Sequence, residues 1–212
     1  MTSPDQLAED ICRYGRSMFA RGLTFGSSGN ISVRITGGWL MTPTGVALDR
    51  LEPARLARLD GNGTHVGGDA PTKEAFLHLA MYGEQAKAGA IVHLHSTHSV
   101  AVSCLADIEP DDVLPPITAY YVMRVGSLPL VPYYPPGDLT LAEAVRAKAK
   151  RHQSVLLANH GPVVSGASLE AAVNAIEELE ETARLFLLLR GERTRWLTPE
   201  QVAELRRRFP NR

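Results

Sequence analysis

The chain has 212 residues, 44% of them apolar and 21% charged, enough for one domain with a substantial buried core across residues 1–212. Its 22 Lys and Arg against 23 Asp and Glu leave a formal net charge of −1, which argues against a nucleic-acid or anionic-membrane partner held by bulk electrostatics. The longest apolar run, residues 185–189, is far short of the roughly 20 residues a bilayer span needs, and residues 1–15 lack an apolar signal core. A soluble cytoplasmic protein is expected, with Cys12 and Cys104 as buried thiols in a reducing compartment.

In chain order, Ser3-Pro4-Asp5-Gln6 predicts a capped helix running to Gly22, with Leu7, Ile11, Tyr14 and Met18 on one face. A Gly- and Ser-rich turn follows at residues 25–30. Residues 31–35 and 39–42 then form a predicted hairpin about Gly37-Gly38, and a second hairpin is expected around Gly61-Asn62-Gly63. Helical pattern returns over residues 72–83. Residues 90–95 read as a buried strand, 96–105 as a short helix, and 117–122, within a proline-rich stretch (107–136), as another strand. Thr140-Leu141-Ala142-Glu143 predicts a capping box and a helix to about His152. A strand over 154–158 continues after a turn through Val163 and Val164. A five-turn helix follows from Ser168, and Thr198-Pro199-Glu200-Gln201 caps a last short one. Mixed strands and helices with early hairpins indicate an α/β layered fold around one sheet that is not all parallel. No GxGxxG or Walker-type loop supports a nucleotide.

The sharpest chemical feature is His93-Leu94-His95. On a strand, alternate residues share a face, so both imidazoles can reach one cation. Alone the pair is weak. His160 lies where a strand meets a glycine turn, and Glu74 lies at a helix start. Together these four make a catalytic metal site the better reading, since three protein ligands and an open position suit one. Glu74 taken singly is better explained by the helix dipole and capping of backbone donors. His65, His78 and His152 read as ordinary polar residues; His98 is weakly placed to line the site. The turns at 26–30 and 42–45, with Thr72 and Lys73 at a helix N-terminus, offer amides, hydroxyls and a cation suited to phosphate.

Gly29-Asn30-Ile31-Ser32, Thr42-Pro43-Thr44-Gly45, Thr72-Lys73-Glu74, His93-Leu94-His95 and Asn159-His160-Gly161 resemble, in order and approximate spacing, the motifs of the class II aldolase/adducin family. The resemblance implies a three-layer α/β/α fold around a central, largely antiparallel sheet, and a homotetramer. It implies one divalent metal per subunit, typically zinc, held by His93, His95 and His160, with Glu74 as acid/base and resting metal ligand. Asn30, Thr42, Thr44, Gly45, Thr72 and Lys73 would bind the substrate phosphate. Within the family, residues 71–82, 93–105 and 125–138 look most like the 3-oxo-tetronate 4-phosphate decarboxylases. Fuculose-phosphate aldolases resemble Ser-Ser-Glu where this chain has Thr72-Lys73-Glu74.

The expected reaction is therefore metal-dependent decarboxylation of a small phosphorylated sugar acid to dihydroxyacetone phosphate and CO2, through an enediolate stabilised by a Lewis acid. Aldol cleavage of a sugar phosphate such as L-fuculose 1-phosphate shares that enediolate and is the alternative. A non-enzymatic, metal-stabilised interaction module is the remote one. Lys73 reads equally well as a ligand for phosphate or carboxylate and as a solvated surface residue. Tyr120 and Tyr121, read on a strand, invite comparison with a tyrosine that related aldolases contribute from a neighbouring subunit; one of the pair is expected in the core and one at the surface.

Overall fold

Ser3 accepts a hydrogen bond from the Gln6 amide at 3.2 Å and Pro4 takes the first helical position, so α1 (Pro4–Ala20) begins where its sequence directs. The structure is a computed structural model that describes residues 2–135 and 137–209; residue 136, the end of the proline-rich stretch, lies outside them. After α1 come the hairpin β1 (Asn30–Ile35) and β2 (Gly38–Met41), turned at Gly37 with φ +79°. Two 3-10 turns lead to β3 (Ala57–Asp60) and β4 (His65–Gly67), and then to α2 (Ala75–Glu84), β5 (Ala90–His93) and α3 (Thr97–Ser103). The second half holds α4 (Ala119–Arg124), β6 (Leu130–Val131), α5 (Thr140–Ala149), β7 (Ser154–Leu157), β8 (Gly161–Gly166), α6 (Leu169–Leu188) and α7 (Pro199–Arg208).

Among the described residues the strands form one eight-stranded sheet in the order β4-β3-β2-β1-β5-β8-β7-β6. All neighbours are antiparallel except the β6–β7 pair. Alternation sends Ile31, Val33, Val92, Leu156 and Val164 into a core under α1, α4 and α6. Ile91, Val155, Leu157 and Val163 go into a second core under α2 and α5. The predicted three-layer architecture results: helices cover both faces, which is why β5, β7 and β8 are buried along their whole length. Among the described residues no helix is long and apolar enough to cross a membrane.

Four local expectations fail for identifiable reasons. Residues 117–122 do not form a strand. The Thr118 hydroxyl caps α4 by accepting from the Tyr121 amide at 3.0 Å, and Tyr121, Val122 and Val125 make a buried helical stripe. Tyr121 is in the core and Tyr120 at the surface, as expected, but on a helix. The capping box at Thr140–Glu143 is also absent: Asp138 accepts from both the Thr140 amide and its hydroxyl, at 2.9 and 2.7 Å. The helix predicted from residue 72 begins at Ala75. Cys12 is buried, whereas Cys104 is exposed.

Two glycines fix how the sheet closes at one end. A Cβ on Gly29, where φ is +80°, would lie 3.1 Å from the His93 carbonyl oxygen; one on Gly161 would lie 2.4 Å from the carbonyl oxygen of Leu94. The second approach is impossible without moving backbone. Gly161→Ala is expected to lower the urea unfolding midpoint by the equivalent of about 2–4 kcal/mol, with the secondary-structure signal of the folded state retained.

Candidate metal centre

Three chain segments deliver the site to the C-terminal end of β5. Pairing stops at His93, not at residue 95 as the sequence suggested, yet extended geometry continues for two more residues. Leu94 therefore drops into the α1/α6 core while His93 and His95 both face the α2 side. His95 is then held in place by α3, the helix just beyond it. The buried Glu180 carboxylate of α6 accepts from the His98 and Ser99 amides, each at 2.9 Å, and so anchors the start of α3. The His98 ring is spent on the same carboxylate at 2.8 Å and does not join the site.

His160 arrives from the turn between β7 and β8. Asn159 takes a left-handed conformation, φ +56°, which Asn tolerates better than most residues, and Gly161 permits the close approach to the Leu94 carbonyl. Glu74 comes from the last residue before α2. Its segment is tied to the 42–45 turn by hydrogen bonds from the Thr72 amide to the Thr42 carbonyl at 3.0 Å and from the Thr44 amide to the Ala70 carbonyl at 3.0 Å.

The outcome is a tight cluster: ligand atoms of Glu74, His93, His95 and His160 all lie within 4.8 Å of one another. His95 Nε2 is 3.1 Å from His93 Nε2 and 3.0 Å from His160 Nε2. Glu74 oxygens lie 3.0 Å from His160 Nε2 and 3.4 Å from His93 Nε2. A tetrahedral ion with bonds of about 2.0–2.1 Å separates its ligands by roughly 3.3 Å, so these edges fit a zinc-sized cation. The donor chemistry agrees. His93 Nδ1 donates to the Pro162 carbonyl at 2.8 Å, which leaves the Nε2 lone pair for a metal.

Electrostatics point the same way. Burial holds His93 down at about 4, and the neighbouring His95 and His160 add to this against the opposing pull of Glu74. His95 is lowered chiefly by burial as well. Burial alone would raise the Glu74 carboxyl. The positive potential of His93 and His160, with hydrogen bonds from His160 and Asn30, outweighs it and holds Glu74 well below the usual carboxylate range.

A cleft of about 460 Å³ opens beside the cluster, lined by Ser28, Asn30, Thr44, Gly45, Thr72 and Lys73 together with Glu74, His95 and His160. The two predicted anion-suited turns thus line the same cleft as three of the candidate metal ligands. Thr42 is the exception: it is buried, and its hydroxyl accepts from the Ile31 amide at 3.1 Å, so it braces the turn instead of lining the cleft. Asn30 is also partly committed, donating from Nδ2 to Glu74 Oε2 at 2.7 Å. A second, more apolar cleft shares Glu74, His95, His160 and Tyr134 and adds Phe25 and Tyr133. Neither cleft is lined by Tyr120 or Tyr121. The aromatic residues at 133 and 134 were missed as site residues; their one signal is a Tyr-Tyr pair between prolines. His78, read as an ordinary helix residue, is fully buried behind the site and bonded to Asn30.

With this geometry in hand, comparisons with known proteins are informative. The family model described as the class II aldolase and adducin N-terminal domain matches residues 9–187. A 3-oxo-tetronate 4-phosphate decarboxylase of Cupriavidus necator is 45% identical, with 100% of both chains covered. An L-fuculose phosphate aldolase of Escherichia coli K12 is 35% identical over 86% of this chain and 83% of its own. The crystal structure of YgbL from Escherichia coli superimposes with a TM-score of 0.94 at 46% identity, covering 96% of this chain and 99% of that one.

The buried imidazoles make acid stability a direct test. His78 is held down to about 3 by burial and His93 to about 4, so between those values and about 6.5 the unfolded chain binds more protons than the folded one. Stability is then complete above pH 6.5 and is lost as pH falls through that window. The metal-free protein should lose up to about 1.4 kcal/mol per pH unit for each such histidine, measured by urea unfolding from pH 7 to pH 4.5.

Proposed function

Because the chain belongs to the class II aldolase and adducin family, we propose that it is a carbon–carbon lyase that decarboxylates 3-oxo-tetronate 4-phosphate to dihydroxyacetone phosphate and CO2. The observation that carries this reading is the clustering of Glu74, His93, His95 and His160, of which Glu74, His95 and His160 line a cleft shared with the anion-suited turns. A relative named for this reaction matches along the whole chain, whereas the fuculose-type aldolase is more distant.

His93, His95 and His160 would hold a divalent cation, zinc by donor set and spacing, with Glu74 as a further ligand at rest. Such an ion, when bound, supplies Lewis-acid stabilisation of the negative charge that develops on a ketone oxygen. The remaining work falls to the chain. The Gly45 amide and the Thr44 and Thr72 hydroxyls hold the phosphate and so place the 3-oxo acid with its scissile bond beside Glu74. As that bond breaks, its electron pair stays with the carbon next to the ketone and CO2 departs. The same carbon then takes one proton, which Glu74 draws from solvent and delivers from its carboxyl oxygen. Lys73, exposed at the cleft beside Glu74, binds the departing carboxylate or the phosphate.

A homotetramer and a cytoplasmic setting complete the reading. Exposed Phe25 and Tyr133, 62% and 60% accessible around the apolar cleft, offer a surface for a second copy to cover, and two free thiols suit a reducing compartment.

Aldol cleavage of L-fuculose 1-phosphate is the second reading, and one assay separates the two. Dihydroxyacetone phosphate release is measured by coupled reduction with each substrate in turn. Faster turnover of the fuculose phosphate would reject the decarboxylase assignment. Glu74→Gln should keep the bound metal, measured by elemental analysis, while lowering kcat at least 100-fold. His160→Ala should lose metal and activity together. Lys73→Ser should reduce decarboxylation by about 10-fold or more; aldol cleavage kept within a factor of about two assigns Lys73 to the carboxylate, and an equal loss assigns it to the phosphate.

A further inference from the structure

Between β1 and α2 runs a buried polar seam that leads from Glu74 at the candidate metal cluster back to Tyr82. Asn30, Ser32 and Arg34 alternate onto the face of β1 beneath α2, and Glu74, His78 and Tyr82 recur every four residues above them. Asn30 and Tyr82 are 4% exposed, Ser32 and His78 0%. Apolar residues would pack here without the desolvation cost that buried polar groups carry unless each is hydrogen-bonded. Here each one is. The Tyr82 hydroxyl lies 3.0 Å from Ser32 Oγ, and Ser32 Oγ lies 2.7 Å from His78 Nδ1. His78 Nε2 meets Asn30 Oδ1, and Asn30 Nδ2 donates to Glu74 Oε2 at 2.7 Å.

The carboxylate end sets the direction of every link. A carboxylate only accepts, so the Asn30 NH2 faces Glu74 and its carbonyl oxygen faces His78. That oxygen also only accepts, so the proton of the neutral ring sits on Nε2. Nδ1 is then the lone pair that receives the Ser32 hydroxyl proton, and the Ser32 oxygen receives that of Tyr82.

We propose that His78 is a positioning residue: as its Nε2–H tautomer it locks the Asn30 amide with its NH2 toward Glu74, and through it pins the carboxylate beside His93 and His160. Were the amide to turn over, its oxygen would face the carboxylate, two acceptors in contact, and the carboxylate would swing from its place. His78 itself lines neither cleft. This inference rests on the reading of Glu74 as the acid/base.

The test joins a spectroscopic and a kinetic readout. In 15N-histidine NMR of the metal-free and zinc-loaded protein, the resonance missing from His78→Phe should report a neutral ring protonated on Nε2; a ring protonated on Nδ1, or a cationic one, overturns the proposal. His78→Phe should lower kcat per bound zinc by about 10–100-fold with KM within about threefold. His78→Gln can donate to Asn30 and accept from Ser32, and should recover most of the loss. Unchanged kcat in His78→Phe, or a Gln variant no better than Phe, overturns the proposal. Should His78→Phe not fold, Ser32→Ala serves for both assignment and kinetics, with kcat about 3–10-fold lower at constant KM expected and unchanged kcat overturning the proposal. Glu74→Gln measured alongside separates the two failures. If it turns over at full rate, the acid/base reading falls; if it is slow while His78→Phe matches the unmodified protein, only the positioning inference falls.

Discussion

Three imidazole nitrogens and a carboxylate oxygen, gathered within 4.8 Å, repel one another unless a positive charge sits among them. That constraint organises the rest of the molecule. Lone pairs 3.0–3.1 Å apart are tolerable only in a scaffold stiff enough to hold them there or in the presence of a cation that rewards the arrangement. Burial sharpens the demand, because it keeps His93 neutral and removes the easy escape of protonating the ring.

The fold meets the demand by bringing three chain segments to one end of a sheet with helices on both faces. β5 supplies His93, and the extended chain beyond it supplies His95. The β7–β8 turn supplies His160, and the step into α2 supplies Glu74. Each is braced from behind by a group that does no chemistry itself. The Pro162 carbonyl orients His93, Glu180 anchors the helix after His95, Gly161 lets β8 close on Leu94, and Asn30 holds Glu74. The two turns suited to phosphate are tied to the same frame through the backbone bonds of Thr42, Thr44 and Thr72, so one structure sets the turns and the histidine cluster together.

Much of this was legible in the sequence. Hairpins showed in their Gly-rich turns, the caps of α1 and α7 in Ser3 and Thr198, and the clustering of four side chains in a His-x-His pair with a Glu and a His near glycines. The failures share one cause: local pattern does not say which partner a residue will find. Residues 117–122 carry strand-forming side chains, but Thr118 finds the Tyr121 amide and a helix results. Thr140 has the residues of a capping box, but Asp138 reaches the amide first. Thr42 sits in a motif suited to substrate, yet its hydroxyl is spent on Ile31. His78 looked ordinary because its importance comes from strand β1, more than 40 positions earlier, which no local window contains. Tyr133 and Tyr134 carried even less signal, since a loop between prolines reveals nothing of the cleft it borders.

Strand polarity divides the sheet into a working rim and an idle one. The hairpin bends at Gly37 and at Gly61–Gly63 both project from the rim opposite the histidines, where β1 and β3 end. That rim carries none of the residues on which chemistry depends. It is therefore the natural graft point of the molecule: a peptide epitope or fluorophore inserted there would report on the protein without disturbing what happens a sheet's length away.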